Sequence, residues 1–331
     1  MKKFPLIAAA IFTCLVSQSQ SKNLELVYTF HIKSDGWWDY VAVHNDKLYV
    51  SHGTQVNILD ASRGDSLGVI LNTAGVHGIA FDQTTKGFTS NGRSNNVTVF
   101  NTITNEVTTQ IQTGQNPDAI MYEPYTRTII TCNGGSHDLS VIDPKTEKVI
   151  QTIPVGGKPE AAVADQQGNV FVNIEDKNEI VKVNMKTFTV EARWPLGGGE
   201  SPTGLAIDPG ARRLYSGCDK QLVILDLDNG NVVTKLPIGD GCDGVVFNGL
   251  IKMIYTANGE GTITVIKKID ANNFSVLENF PTKRGARTIT MDMPSHFLYL
   301  PTADFDKTKK DANGRPVMIP GSFQVLALRF L

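Results

Sequence analysis

Seven residues recur at the same point of a short turn-then-apolar pattern: Asp39, His77, Asp118, Glu160, Thr203, Asp243 and Arg287. Four are carboxylates, one an imidazole, one a guanidinium and one a hydroxyl. Brought together, four carboxylates cannot all stay ionised cheaply, because like charges at short range raise one another's pKa. Arg287, water or a bound cation must then offset them. Oxygen ligands from Asp118, Glu160 and Asp243 would suit a hard divalent cation such as calcium. A transition metal fits less well, since it favours several imidazoles. A hydrated polar opening without a ligand is the simpler alternative, and residue types alone leave both open.

Whether the seven meet depends on the elements that carry them. The stretch QTGQNPDAIMYEP, residues 112–124, returns as VGGKPEAAVAD at 155–165, GGESPTGLAIDP at 198–209 and IGDGCDGVVFN at 238–248. Aligned on the residue that opens each apolar run, the anchors are Tyr40, Gly78, Ala119, Ala161, Gly204, Gly244 and Thr288, at steps of 38, 41, 42, 43, 40 and 44 residues. A period near forty marks a repeat array.

Within one unit, residues 204–239, three short β-rich runs (LAI, RLYSG, LVILDL) are followed by the turn DNGN and a fourth run, VVTKLPI. Four strands per unit without helical periodicity describe one blade of a propeller. The third-to-fourth turns open on Asp60, Asp143 and Asp226, whose carboxylates are expected to bond the backbone two residues on. The seventh unit lacks its fourth strand, whereas LELVYTFHI at 24–32 precedes the first anchor and belongs to no unit. The expectation is an all-β, seven-bladed propeller of four-stranded blades, closed by that N-terminal strand completing the C-terminal blade, which removes the exposed sheet edges. Each residue before an anchor then faces the central channel at one mouth.

The formal net charge of −2 gives no basic footprint, so nucleic acid is not expected as a partner. Lys2 and Lys3 precede the apolar run 4–16 and a Ser/Gln stretch, 17–21. This reads as a secretory signal over 1–21, cleaved near Ser19 or Ser21, with the propeller occupying 22–331 as one domain. Export to the periplasm or cell exterior follows as the expectation, without a transmembrane segment and as a monomer. A lipid anchor at Cys14 is disfavoured, because Thr13 stands where such sites prefer Gly or Ala. Cys132, Cys218 and Cys242 lack the spacing of a structural zinc site, and Cys218 with Cys242, in neighbouring loops, is the disulfide candidate.

The copies KLYVSHGTQVNILDASRG (47–64) and RLYSGCDKQLVILDLDNG (213–230), with the closing segment NGRPVMIPGSFQVL (313–326), resemble the YVTN-repeat, YncE-like family of seven-bladed propellers over essentially the whole mature chain. Gly-His pairs typical of WD repeats are missing, and Trp-Asp occurs once, at Trp38-Asp39. The resemblance implies the fold and a bacterial-envelope setting. It says little of function, because related propellers include binding proteins, redox-enzyme subunits and lyases.

Second-to-third-strand loops open on the same face and carry His52, Asn91 with Arg93, Asn133 with His137, Glu175 with Asp176, Cys218 with Asp219, and Asn258 with Glu260. In the seventh blade this loop grows to residues 304–322, a candidate lid over the mouth. Trp37 and Trp38 precede the first anchor, where one can stack on a flat ligand while the other packs. The candidate ligand-binding set is therefore the seven ring residues with Trp38, Arg93 and His137; no catalytic residue is assigned.

Three functions remain open. A binding or scaffold protein would recognise a small molecule, a glycan or an envelope protein through this face. A metal-dependent lyase or hydrolase would use His77 or His137 as base near Glu160, although no nucleophile or metalloprotease motif is present. A docking subunit of a redox or transport complex would show a broad apolar patch.

Overall fold

A computed structural model describes residues 23–34, 36–311, 314 and 316–331, with the side chain of Lys307 left out. The signal-sequence reading, with Cys14, lies outside the described residues.

The expected strand pattern is present. Among the described residues, seven four-stranded antiparallel sheets follow one another, accompanied by one two-stranded hairpin. In the first blade the strands run Trp38–His44, Lys47–His52, Gln55–Asp60 and Ser66–Ile70, from inside to outside. Inner strands of the following blades are Val76–Phe81, Pro117–Glu123, Pro159–Ala164, Leu205–Asp208, Cys242–Asn248 and Thr290–Met291. The seventh blade is completed by Leu24–His31, which pairs antiparallel with Gln324–Phe330 from Leu24 opposite Phe330 to His31 opposite Gln324. The join sews the ring shut with backbone hydrogen bonds and covers the edge that the last strand would otherwise present.

The turns form as their residue types dictate. Asp60 Oδ1 accepts from the backbone N–H of Ser62 at 3.0 Å, Asp143 Oδ1 from Lys145 at 2.9 Å and Asp226 Oδ1 from Asp228 at 3.0 Å. These carboxylates are spent on folding, not on chemistry.

Alternation along each strand sends one face toward the preceding blade and the other toward the next. The core is accordingly divided into clusters between neighbouring blades. Leu214, Cys218, Val223 and Leu225 pack against Phe171 and Trp194 of the fourth blade. Tyr215, Leu222 and Ile224, from the same two strands, pack against Cys242, Val245 and Ile254 of the sixth. Another cluster joins Phe30 and Phe323 of the seventh blade to Trp38 and Val50 of the first.

Close approach of inner strands at the axis explains the small anchors. A Cβ on Gly204 would lie 2.9 Å from the backbone of Gly244 and Val245, and one on Gly244 would lie 2.9 Å from Ile289. Tyr40 is the one large anchor.

Candidate functional site

The register of the inner strands slips at their first residues: between Trp38 and Val41, Val76 and Ile79, Pro117 and Ile120, Pro159 and Ala162, and Cys242 and Gly244. Each slip is a local bulge, which bends the strand and re-aims a side chain. The residues released from pairing include Asp39, His77, Asp118, Glu160 and Asp243. Thr203 and Arg287 precede the inner strands of the fifth and seventh blades.

All seven line one open cavity of about 640 Å³, together with Tyr40, Lys158, Glu175 and Asp219. His77 Nδ1 donates to Asp39 Oδ2 at 2.6 Å and lies 3.8 Å from Asp118 Oδ1. Arg287 Nε donates to Asp243 Oδ2 at 2.6 Å, and its Nη2 lies 3.5 Å from Asp39 Oδ1. Lys158 Nζ is 2.7 Å from Glu160 Oε1 and also binds the Glu175 carboxylate. The Thr203 hydroxyl donates to the Cys242 carbonyl, so it braces the wall. Each cation thus bridges two carboxylates, yet six carboxyl groups face three cationic side chains. Asp118 Oδ1 is buried without a hydrogen-bond partner among the described residues.

These surroundings shift the titrations. Burial pushes Asp118 up to about 7, with the charge of Asp39 adding and that of His77 opposing. Burial also pushes Glu160 to about 8, reinforced by Asp118 and opposed by Lys158. Asp243 rises too, chiefly through burial. Burial disfavours the charged form of His77, but the Asp39 hydrogen bond and the Asp118 charge prevail and raise it to about 9. The Tyr40 phenol is held neutral by burial and by the carboxylates around it, Asp118 foremost.

The expected cation trio does not form. Ligand atoms of Asp39, His77 and Asp118 all lie within 4.8 Å of one another, and this is the only such group of three among the described residues. Glu160 and Asp243 are drawn aside by Lys158 and Arg287. Lys158 was not anticipated; it lies in the loop just before the inner strand Pro159–Ala164 and reaches Glu160 across the bulge at that strand's start.

Four further expectations are corrected. Trp38 borders the cavity lined by Arg93 but is 3% exposed and packs on Phe323, so Trp37, at 47%, is the indole that reaches the surface. His137 lies in an exposed turn at φ 59° and does not line the cavity. Cys218 and Cys242 are free thiols. They face opposite sides of the fifth blade, since Cys218 packs toward the fourth and Cys242 toward Gly217 from the sixth. The 304–322 segment has no described residue that lines the ring cavity, so the expected lid is not seen among those residues. Its described residues include the hairpin Phe305–Lys310 with Pro316–Met318, and Phe305 packs on Trp37 and Trp38.

Loop residues Asn91, Asn133 and Asn258 are fully buried and structural. Each amide donates to side chains on the third strand, as Asn133 Nδ2 does to Asp138 and Ser140. His52 is likewise buried, held by Ser34 and the Gly36 carbonyl and stacked on Phe323.

Arg93 lines a second open cavity, about 840 Å³, bounded also by Trp37, Asn116 and the backbone of Gly36, Gly53 and Gly75. Asp39, His77 and Arg287 line both cavities.

No family model matches the chain, and no curated protein does. Among solved structures it is similar to Kuenenia stuttgartiensis hydrazine synthase, at 14% identity and a TM-score of 0.71, over 82% of this chain and 94% of that one. It is also similar to the WD40 repeats of RRP9, at 10% identity and a TM-score of 0.75, over 93% of this chain and 98% of that one. These likenesses establish that the chain is a β-propeller, and they extend to the fold alone.

Proposed function

We propose that the chain is an exported β-propeller binding protein whose channel mouth takes a small cationic ligand. The carrying observation is the ring cavity, where carboxyl groups outnumber cations and a buried oxygen of Asp118 lacks a donor. A ligand that brings positive charge and N–H donors would satisfy that oxygen and favour ionised Asp118 and Glu160. Export rests on Lys2, Lys3 and the apolar run after them, together with the resemblance to YVTN-repeat, YncE-like envelope propellers. No helix among the described residues is long and apolar enough to cross a membrane.

The docking alternative is less favoured by the surface. Exposed large apolar side chains such as Leu67, Val107, Ile150, Val232 and Leu277 are distributed over the outer strands of different blades. A second reading, a metal ion on Asp39, His77 and Asp118, is favoured by the closeness of their ligand atoms. It is also the route by which a lyase or hydrolase activity would arise.

The test is thermal shift and native mass spectrometry of the mature chain with spermidine, calcium and manganese. Spermidine should raise the melting temperature of the wild type but not of Asp118→Asn/Asp243→Asn. A response to manganese alone favours the metal reading, and no response to any of the three overturns the site. Fractionation and N-terminal sequencing of the expressed full chain test export, with cleavage expected near Ser19 or Ser21.

A further inference from the structure

We infer that the ring cavity and the Trp37 cavity form one continuous site for a basic oligosaccharide, with an amino sugar among the carboxylates and a neighbouring pyranose on the Trp37 indole. The inference rests on the cationic-ligand reading of the ring and names the ligand class.

The aromatic half is preorganised. Trp37 is 47% exposed, yet its ring lies 5.9 Å from that of Trp38 and 6.2 Å from that of Phe305. Trp38 is itself locked in the core. An exposed indole backed by packed rings offers a large amphipathic surface at low entropic cost on binding.

The ground beside it is bare backbone. Gly53 N–H donates to Trp37 O at 2.7 Å, and Gly75 N–H donates to Gly53 O at 3.0 Å, linking the loops in series. A side chain is excluded at Gly75. Gly75 has φ +66°, and a Cβ on it would meet the Cβ of Arg93 at 2.8 Å. The result is a stretch of cavity wall next to the indole where glycine backbone is uncovered.

Polar groups also border this cavity. Arg93 lines it, is exposed and makes no ion pair among the described residues, so its guanidinium is available to a ligand there. Asp39, His77 and Arg287 form the wall shared with the ring cavity. A ligand can therefore extend from one cavity to the other along these three residues.

A pyranose matches this arrangement. One face is apolar C–H and suits a single aromatic plane, while its rim of hydroxyls both donates and accepts. A peptide or lipid would need a larger apolar lining than Trp37, Trp38 and Val76 supply. The carboxyl excess in the ring then selects for positive charge, since a neutral sugar would leave it uncompensated. An ammonium substituent on the inner sugar supplies both the charge and three donors.

Calorimetric titration of the full mature chain with a β-1,4-glucosamine tetramer, its fully N-acetylated counterpart and spermidine tests the inference. The basic tetramer should bind at least about tenfold more tightly than the acetylated one, as expected for a charge-assisted contact. Trp37→Ala should weaken the basic tetramer about tenfold, and Trp37→Phe should restore most of that loss. Equal affinity for the two tetramers, or no effect of Trp37→Ala, overturns the inference. If spermidine binds and neither tetramer does, the inference fails while the ring remains a cation site. If nothing binds, both fail.

Discussion

Asp39 accepts the Nδ1 proton of His77 at 2.6 Å across the seam between the first and second blades. That bond pairs two ring members from different repeats. It also leaves Asp118, 3.8 Å from the same nitrogen, with an oxygen that receives no hydrogen bond from the described residues. The ring is therefore stabilised pair by pair and left incomplete at one point.

The first consequence concerns stability against pH. Asp118 is raised from 3.8 to about 7 and Glu160 from 4.5 to about 8. Between the unfolded and folded values the native state holds more protons, so its stability falls as pH rises through those windows. His77, raised from 6.5 to about 9, contributes stability below its unfolded value that is lost as pH rises through the folded one. All three act in one direction. The melting temperature of the ligand-free protein should fall from about pH 5 to about pH 9. Asp118→Asn should melt above wild type at the upper end and with it at the lower end, by scanning calorimetry. A variant curve parallel to the wild type would remove Asp118 from the account.

Ligand affinity should follow the opposite slope. A cation favours ionised Asp118 and Glu160, so spermidine binding should strengthen between about pH 6 and about pH 8 and release protons. Titration calorimetry in two buffers of different ionisation enthalpy reads the proton count directly. A pH-independent affinity would contradict the assignment.

A structural pair away from the ring gives a separate expectation. Lys268 Nζ binds the Asp208 carboxylate, with side chains 12% and 8% exposed. Removing the cation alone leaves a buried charge uncompensated, so Lys268→Met should cost about 3 kcal/mol in urea unfolding. Lys268→Met/Asp208→Asn should recover part of that loss. Equal loss in both variants would mean that packing of the Lys268 stem on Phe247, with Nζ 5.5 Å from the ring centre, dominates.

Gly204→Ala tests the axis. Its new Cβ would lie 2.9 Å from the Gly244 carbonyl carbon, and an overpacked contact of backbone on side chain costs about 1–3 kcal/mol. The variant should unfold at lower urea, with ligand affinity reduced because Thr203 and Asp243 flank the two strands forced apart. Unchanged stability would show that the inner strands separate freely.

The architecture was legible because its causes are local and repeated. Turn carboxylates such as Asp60 and Asp143, small anchors such as Gly204 and the unmatched strand 24–32 each point to the same ring. Convergence of the seven residues followed from that ring. Other features depend on where a side chain goes after a bulge or within a loop. Trp37 and Trp38 are adjacent, and only the register slip and the presence of Phe323 decide which is packed. Cys218 and Cys242 read as residues of neighbouring loops, yet they sit at strand ends and pack on opposite sides of the fifth blade. Asn91 and Asn133 read as exposed polar loop residues, whereas each closes a buried network at a strand end. The pairing of Lys158 with Glu175 joins two loops whose approach is set only once the blade is assembled.

The closing strand pair has a bearing on when the site comes into being. Arg287 and Thr288 belong to the seventh blade, and both reach Asp39 of the first, Thr288 Oγ1 donating to the Asp39 carbonyl at 2.6 Å. Leu24–His31 finds its partner only in Gln324–Phe330. A nascent chain emerging at about 5–20 residues per second can assemble its middle blades early. It cannot present a finished ring until its earliest strand has waited for nearly its latest one. Throughout that interval the growing polypeptide carries the carboxylates of Asp39 and Asp243 without the guanidinium that will pair with both, so competence to bind arrives in a single late step.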